Sequence, residues 1–145
     1  MRKCKIGIIG FGTVGTGVYK ILSSQVDVHP ILKEIEIAKI AVKDLNKKRD
    51  IELDNNLLTD DPFKLINDPS IDVIVEVMGG LDLAKDIILQ SLKLGKSVVT
   101  ANKAVIARYG EEIYKTASKE GVYILSEAAV CGLSLIHISE PTRPY

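Results

Sequence analysis

The stretch "KIGIIGFGTVGTGV", residues 5–18, joins a short apolar run to a segment with helical spacing through Gly10, Gly12 and Gly15. Residues 5–9 read as a strand, and Val14, Val18, Ile21 and Leu22 then recur as one face of a helix. G-x-G-x-x-G spacing is weak evidence alone, but it gains meaning where a strand ends and a helix opens. Gly10 permits the tight turn, Gly12 leaves the backbone bare to an approaching pyrophosphate, and Gly15 lets the helix lie close on the strand. The helix start offers unpaired N–H groups and a partial positive charge to the phosphates. The competing reading is a glycine turn with no ligand.

The rest of the chain repeats the strand–helix rhythm. Strands are predicted at about 35–42, at 71–76, over "KSVVTA" and over "VYILSEAAV". Helices are predicted over "TDDPFKLIND", "LDLAKDIILQSLKLG" and "GEEIYKTASKEG". Thr59 or Asp60 is the expected cap of the first of these, with Pro62 in its opening turn. Gly95 and Gly121 stand where helix stops belong. Such alternation builds βαβ units, hence a parallel sheet. The strands are nearly continuous apolar runs, as when helices cover both faces. The expected class is therefore α/β, a doubly wound parallel sheet.

Composition sets the remaining bounds. At 145 residues, the chain suits one domain with a core, and 46% apolar with 26% charged residues is the globular, soluble range. A formal net charge of zero gives no electrostatic footprint for nucleic acid or an anionic membrane. No apolar run approaches the ~20 residues of a membrane span. The basic start resembles a weak signal peptide, yet Gly7, Gly10 and Gly12 interrupt its apolar run; a first strand in a cytoplasmic protein is expected instead. Cys4 and Cys131, like His29 and His137, form no metal-ligand or triad spacing.

Ligands on such sheets lie beyond the carboxyl ends of the strands. The end of the second strand offers Lys43, then Asp44, with Lys47, Lys48 and Arg49 behind. A carboxylate there suits the ribose of NAD, whereas a cation suits the extra phosphate of NADP. The basic set favours NADP, with NAD and a merely solvated loop as the alternatives. Gly79 and Gly80 after the third strand can approach a ribose, and Asn102 and Lys103 after the fourth can reach toward the nicotinamide half.

Taken together, "GFGTVGTGV", "VEVMGG", "GKSVVTANKAVIA" and "EAAVCG" resemble the nucleotide-binding part of homoserine dehydrogenase over about residues 3–132. The resemblance implies a Rossmann-like sheet and hydride transfer from NAD(P)H to aspartate 4-semialdehyde, giving homoserine for threonine and methionine synthesis. It implies cofactor contacts at Phe11, Thr13 and Val14, a cofactor contact at Lys43, and a nicotinamide-side lysine at Lys103. It further implies a structural sodium ion on Glu127 and on carbonyls of Val130 and Gly132, with Ser134 at the fourth position; oxygen donors suit a hard cation. The start of the chain matches the family's stand-alone form, without a preceding kinase, and the parent is expected to be a homo-oligomer.

Residues 133–145, "LSLIHISEPTRPY", depart from the family pattern and read as a translated transposase-type sequencing adapter. The expected organisation is a dinucleotide-binding domain over 1–132 and a non-native tail over 133–145. No catalytic residue is assigned, because the family's catalytic lysine and aspartate lie downstream. The chain is expected to bind cofactor weakly at best, to turn over negligibly and to expose apolar surface near its last strand. A regulatory module that senses NAD(H) and a related enzyme such as an aspartate dehydrogenase are the other readings.

Overall fold

The computed structural model describes residues 3–24, 30–49 and 51–126. Its six strands are β1 (Cys4–Ile9), β2 (Ile35–Ala41), β3 (Leu58–Thr59), β4 (Val73–Glu76), β5 (Ser97–Thr100) and β6 (Ile124–Ser126). The α-helices are α1 (Thr13–Ser23), α2 (Pro62–Ile66), α3 (Asp82–Lys93) and α4 (Lys103–Glu120), with short 3₁₀ turns at Pro30–Glu34 and Asn55–Leu57. The strands form one sheet in the order β3-β2-β1-β4-β5-β6. Every pairing is parallel. This is the doubly wound order expected from the alternation, with its topological switch between β1 and β4.

Side-chain alternation along the strands divides the core. Ile9, Ile74, Val98 and Ile124 face α2, α3 and α4, where they pack with Leu65, Ile66, Ile87, Ile88, Leu92, Val105 and Ile113. Ile6, Ile8, Ile40 and Val75 face the other way and are covered by Val18, Tyr19 and Leu22 of α1. Burying each such aliphatic side chain stabilises the fold by about 1.5–3 kcal/mol. The α1 layer does not extend across the sheet. Val99 pairs in register with Leu125, and they remain 38% and 48% exposed among the described residues.

Four local expectations differ in detail. The short helix α2 is capped by Asp61, not Thr59 or Asp60: its Oδ1 accepts from the amides of Phe63 and Lys64 at 3.0 and 3.1 Å. Thr59 belongs instead to β3, a strand too short to leave a periodic signal. β4 begins at Val73, because residue 71 is held in the preceding loop by its own amide bonding to the Asp68 carbonyl. The helix expected from residue 110 begins at Lys103. Asn102 caps it by accepting from the Val105 amide at 3.0 Å. The residues between are good helix formers, and Val105, Ile113 and Ala117 bury one face.

The floor of the sheet, opposite the strand carboxyl ends, is closed by Lys96. This lysine is only 6% exposed. Its Nζ donates to the carbonyl oxygens of Asp68 and Ile71 at 2.7 and 2.6 Å. Burial pulls its pKa below the usual lysine value, and the nearby Asp68 and Asp72 oppose that shift.

Candidate functional site

At the switch point β1 lies between β2 and β4, and the loops leaving these strands diverge. A cleft of about 480 Å³ opens there, lined by Gly10, Phe11 and Gly12, by Lys43 and Arg49, and by Met78. This is where open α/β sheets hold ligands.

The three glycines divide the work as their spacing implies. Gly10 has φ of +100°, and a Cβ on it would fall 2.7 Å from Met78 Cα and 2.8 Å from Met78 N. The first turn therefore presses directly on the backbone leaving β4. A Cβ on Gly15 would strike the Gly10 carbonyl oxygen, so the first turn of α1 lies tight against the end of β1. Gly12 is different, because a Cβ there would meet nothing within 4 Å. Among the described residues no neighbouring side chain or strand occupies that space. Gly12 is also the N-cap of α1; no side chain bonds the first helical amides and no acid lies in the first turn. Unshielded amides at the positive end of a helix dipole suit a diphosphate. Thr13 and Val14 open this helix, and Val14 is exposed. Phe11 packs edge-on against Tyr19, which anchors the turn on α1.

The loop after β2 forms the second wall. Val42 donates to Thr59 O at 2.8 Å, and Lys43 then emerges exposed at the cleft. Arg49 turns back on the loop, donating to Asp44 O at 2.6 Å and Lys47 O at 2.9 Å. Asp44 Oδ1 accepts from the Asn46 amide at 2.9 Å. One carboxyl oxygen and the guanidinium thus shape the loop, while Lys43 and Lys47 present their charges along the cleft.

The third wall comes from β4 and β5. Gly79 and Gly80 have φ of +76° and +81°, and a Cβ on either would meet open space. Asn102 does not extend from the rim as its position in the sequence suggests. Besides capping α4, its Nδ2 donates to Gly80 O at 2.6 Å, so it supports the glycine loop from beneath. Lys103 follows as the exposed first residue of α4. Sequence reasoning passed over Glu76 and Thr100, both wholly or almost wholly buried. They bond each other through Glu76 Oε1 and Thr100 Oγ1 at 2.5 Å. The available signal was an acid inside the apolar run "IDVIVEVM". Glu127, Val130 and Gly132, the implied sodium ligands, and the 133–145 tail lie outside the described residues. Among the described residues no helix is long and apolar enough to cross a membrane.

Known proteins share this sequence pattern and this fold. A family model described as "Homoserine dehydrogenase, NAD binding domain" matches residues 10–127. The homoserine dehydrogenase of Synechocystis sp. is 49% identical over 128 residues, covering 88% of this chain and 30% of the relative. That of Bacillus subtilis is 40% identical over 134 residues, covering 91% and 31%. The crystal structure of Staphylococcus aureus homoserine dehydrogenase at pH 7.0 superposes with a TM-score of 0.79 at 38% identity, covering 88% of this chain and 33% of that one. The chain therefore spans about 30% of the length of the curated relatives it matches. Motif, fold and relatives converge, and the chain belongs to the family of homoserine dehydrogenase NAD-binding domains.

Proposed function

We propose that this chain is the coenzyme-holding part of an NAD(P)-dependent homoserine dehydrogenase, which interconverts L-homoserine and L-aspartate 4-semialdehyde. The observation that carries the reading is the unfilled space over Gly12 beside the uncapped start of α1. A pyrophosphate fits there against backbone amides, with Phe11, Thr13 and Val14 around it. The coenzyme, when bound, supplies or accepts the hydride. The chain's own residues bind and orient it: the first turn takes the diphosphate, the 43–49 loop takes the adenosine end, and the Gly79–Gly80 and Asn102–Lys103 corners border the nicotinamide end. No residue of the chain is assigned a catalytic role. Aldehyde positioning and proton delivery need groups within hydrogen-bond reach of the carbonyl, and these belong to the remaining length of such an enzyme. Binding without appreciable turnover is the expected behaviour of the chain itself.

NADP is the preferred coenzyme on this reading. Lys43 and Lys47 line the cleft beside Asp44, one of whose carboxyl oxygens is taken by the Asn46 amide. The same reading places the protein in the cytoplasm as part of a homo-oligomer, with no nucleic-acid or membrane partner. It also carries a structural sodium ion on Glu127, Val130 and Gly132, whose oxygen donors suit a hard cation. Calorimetric titration of the 145-residue chain with NADPH and NADH tests the coenzyme assignment. Lys43→Ala is expected to weaken NADPH by about tenfold, the loss of one charge-assisted contact, and to leave NADH nearly unchanged. Equal weakening of both would refute the phosphate role of Lys43, and absence of heat with either would refute coenzyme binding.

A further inference from the structure

Glu76 ends β4 with its side chain wholly removed from solvent. A buried carboxyl is a poor way to stabilise a sheet, since an apolar residue of similar volume does so without desolvation. This one is fully engaged, and its partners lie at the carboxyl ends of β4 and β5, where Met78 lines the cleft. Oε2 accepts from the Met78 amide at 3.0 Å. Oε1 accepts from the Thr100 hydroxyl, whose oxygen accepts in turn from the Asn102 amide at 3.0 Å. The main chain adds a tie, with the Ala101 amide donating to Glu76 O at 3.1 Å.

Each partner passes the constraint onward. Met78 is the residue whose backbone presses on Gly10, so fixing its peptide fixes the separation between the β4 exit and the phosphate turn. Asn102 holds Gly80 O and caps α4. The glycine loop is thereby held at Met78 on one side and at Gly80 on the other. Gly79 and Gly80 carry no side chains to hold themselves, and glycine is the residue with most backbone freedom to lose. One carboxyl thus ties together the backbone leaving β4, the glycine loop and the start of α4.

We propose that Glu76 is a positioning residue for the nicotinamide half of the coenzyme, acting through Met78 and through Thr100 and Asn102. The inference rests on the dinucleotide reading above. It assigns no contact between Glu76 and ligand. The adenosine wall, formed by the 43–49 loop, lies outside this network.

The test uses the 145-residue chain, the variants Glu76→Gln and Thr100→Val, and calorimetry with NADPH and with 2′,5′-ADP, a probe of the adenosine half alone. Amide hydrogen exchange in the absence of ligand provides the second readout. The expected result is NADPH weakened by about tenfold or more, as when a site loses preorganisation, with 2′,5′-ADP changed by less than about twofold. Exchange at Met78 and Asn102 is expected to accelerate while Ile74 and Val75 keep their protection. Unchanged NADPH affinity, equal loss of both ligands, or unchanged exchange at Met78 and Asn102 would overturn the proposal. Loss of the thermal transition in both variants would make Glu76 a residue of the fold and overturn it as well. An unaltered chain that binds neither ligand overturns the dinucleotide reading itself; an unaltered chain that binds, beside variants that bind equally well, overturns only the role of Glu76.

Discussion

Replacing Gly12 by valine separates binding from folding. The Gly12 φ of −84° lies outside the left-handed range that demands glycine, and beyond its chain neighbours no atom of the described residues lies within 4 Å of an added Cβ. The structure therefore leaves room for a Cβ at this position. What is lost is the mild preference for glycine over valine at an N-cap, about 1 kcal/mol or less. For a chain of this size that lowers Tm by about 3–4 °C at most. Binding should suffer far more, because the new methyl groups occupy the space over Gly12 beside the first amides of α1. Losing two amide–phosphate hydrogen bonds at about 1.5 kcal/mol or more each removes roughly 3 kcal/mol, a factor of about 100 or more in Kd. Gly15→Ala supplies the contrast. Its Cβ runs into the Gly10 carbonyl, a backbone atom that cannot swing aside. Overpacking of that kind costs about 1–3 kcal/mol, so both Tm and affinity should fall. The assay is paired calorimetric titration with NADPH and thermal unfolding followed by circular dichroism. If Gly12→Val bound NADPH within about threefold of the unaltered chain, the space over Gly12 would not be the phosphate site.

Three further outcomes are expected from the packing and the titrating groups. Asp61→Ala should cost about 1 kcal/mol by uncapping α2, whereas Asp60→Ala should cost little; a reversed order in chemical denaturation would show that the cap is misassigned. Hydrogen bonds from the Ser70 hydroxyl and amide hold the Asp68 carboxyl below its ordinary value of 3.8. The folded state then binds fewer protons than the unfolded one, so its contribution is present above pH 3.8 and is lost as pH falls through the lowered value; Asp68→Asn should flatten that acid limb in a pH series of melts. Lys96 has a folded pKa below 10.5, so stability should rise with pH between the lowered value and 10.5. Lys96→Met should abolish the rise and cost about 1–3 kcal/mol at neutral pH by stranding the Asp68 and Ile71 carbonyls; a variant as stable as the parent would contradict this.

The parallel α/β class was legible because each of the longer strands is a compact apolar run and each helix carries its own period. The tight turn at Gly10 and the close packing at Gly15 were legible for a similar reason: spacing and position relative to β1 specify the turn geometry. The start of α4 was hidden because "TANKA" attracts attention as a strand-end motif, although Asn102 is an ordinary cap residue and the segment after it is helix-forming. β3 was hidden because its two residues are fixed by pairing with Ile40 and Ala41, a long-range contact with no local signature. Glu76 was hidden for a deeper reason. Its partners, Met78, Thr100 and through it Asn102, meet only after β4 and β5 pair, so no window of sequence displays them together.

The 43–49 loop closes its hydrogen bonds largely on itself, through Arg49 to the Asp44 and Lys47 carbonyls and through Asn46 to Asp44. Such a segment is portable. Transplanted between the same two strand ends of a related sheet, it should carry its charge pattern with it while the floor around Lys96 and the glycine turn stay undisturbed. If this loop reads the adenosine end as proposed, coenzyme choice would be a modular trait, open to rewriting within one short stretch of chain without redesign of the scaffold that displays it.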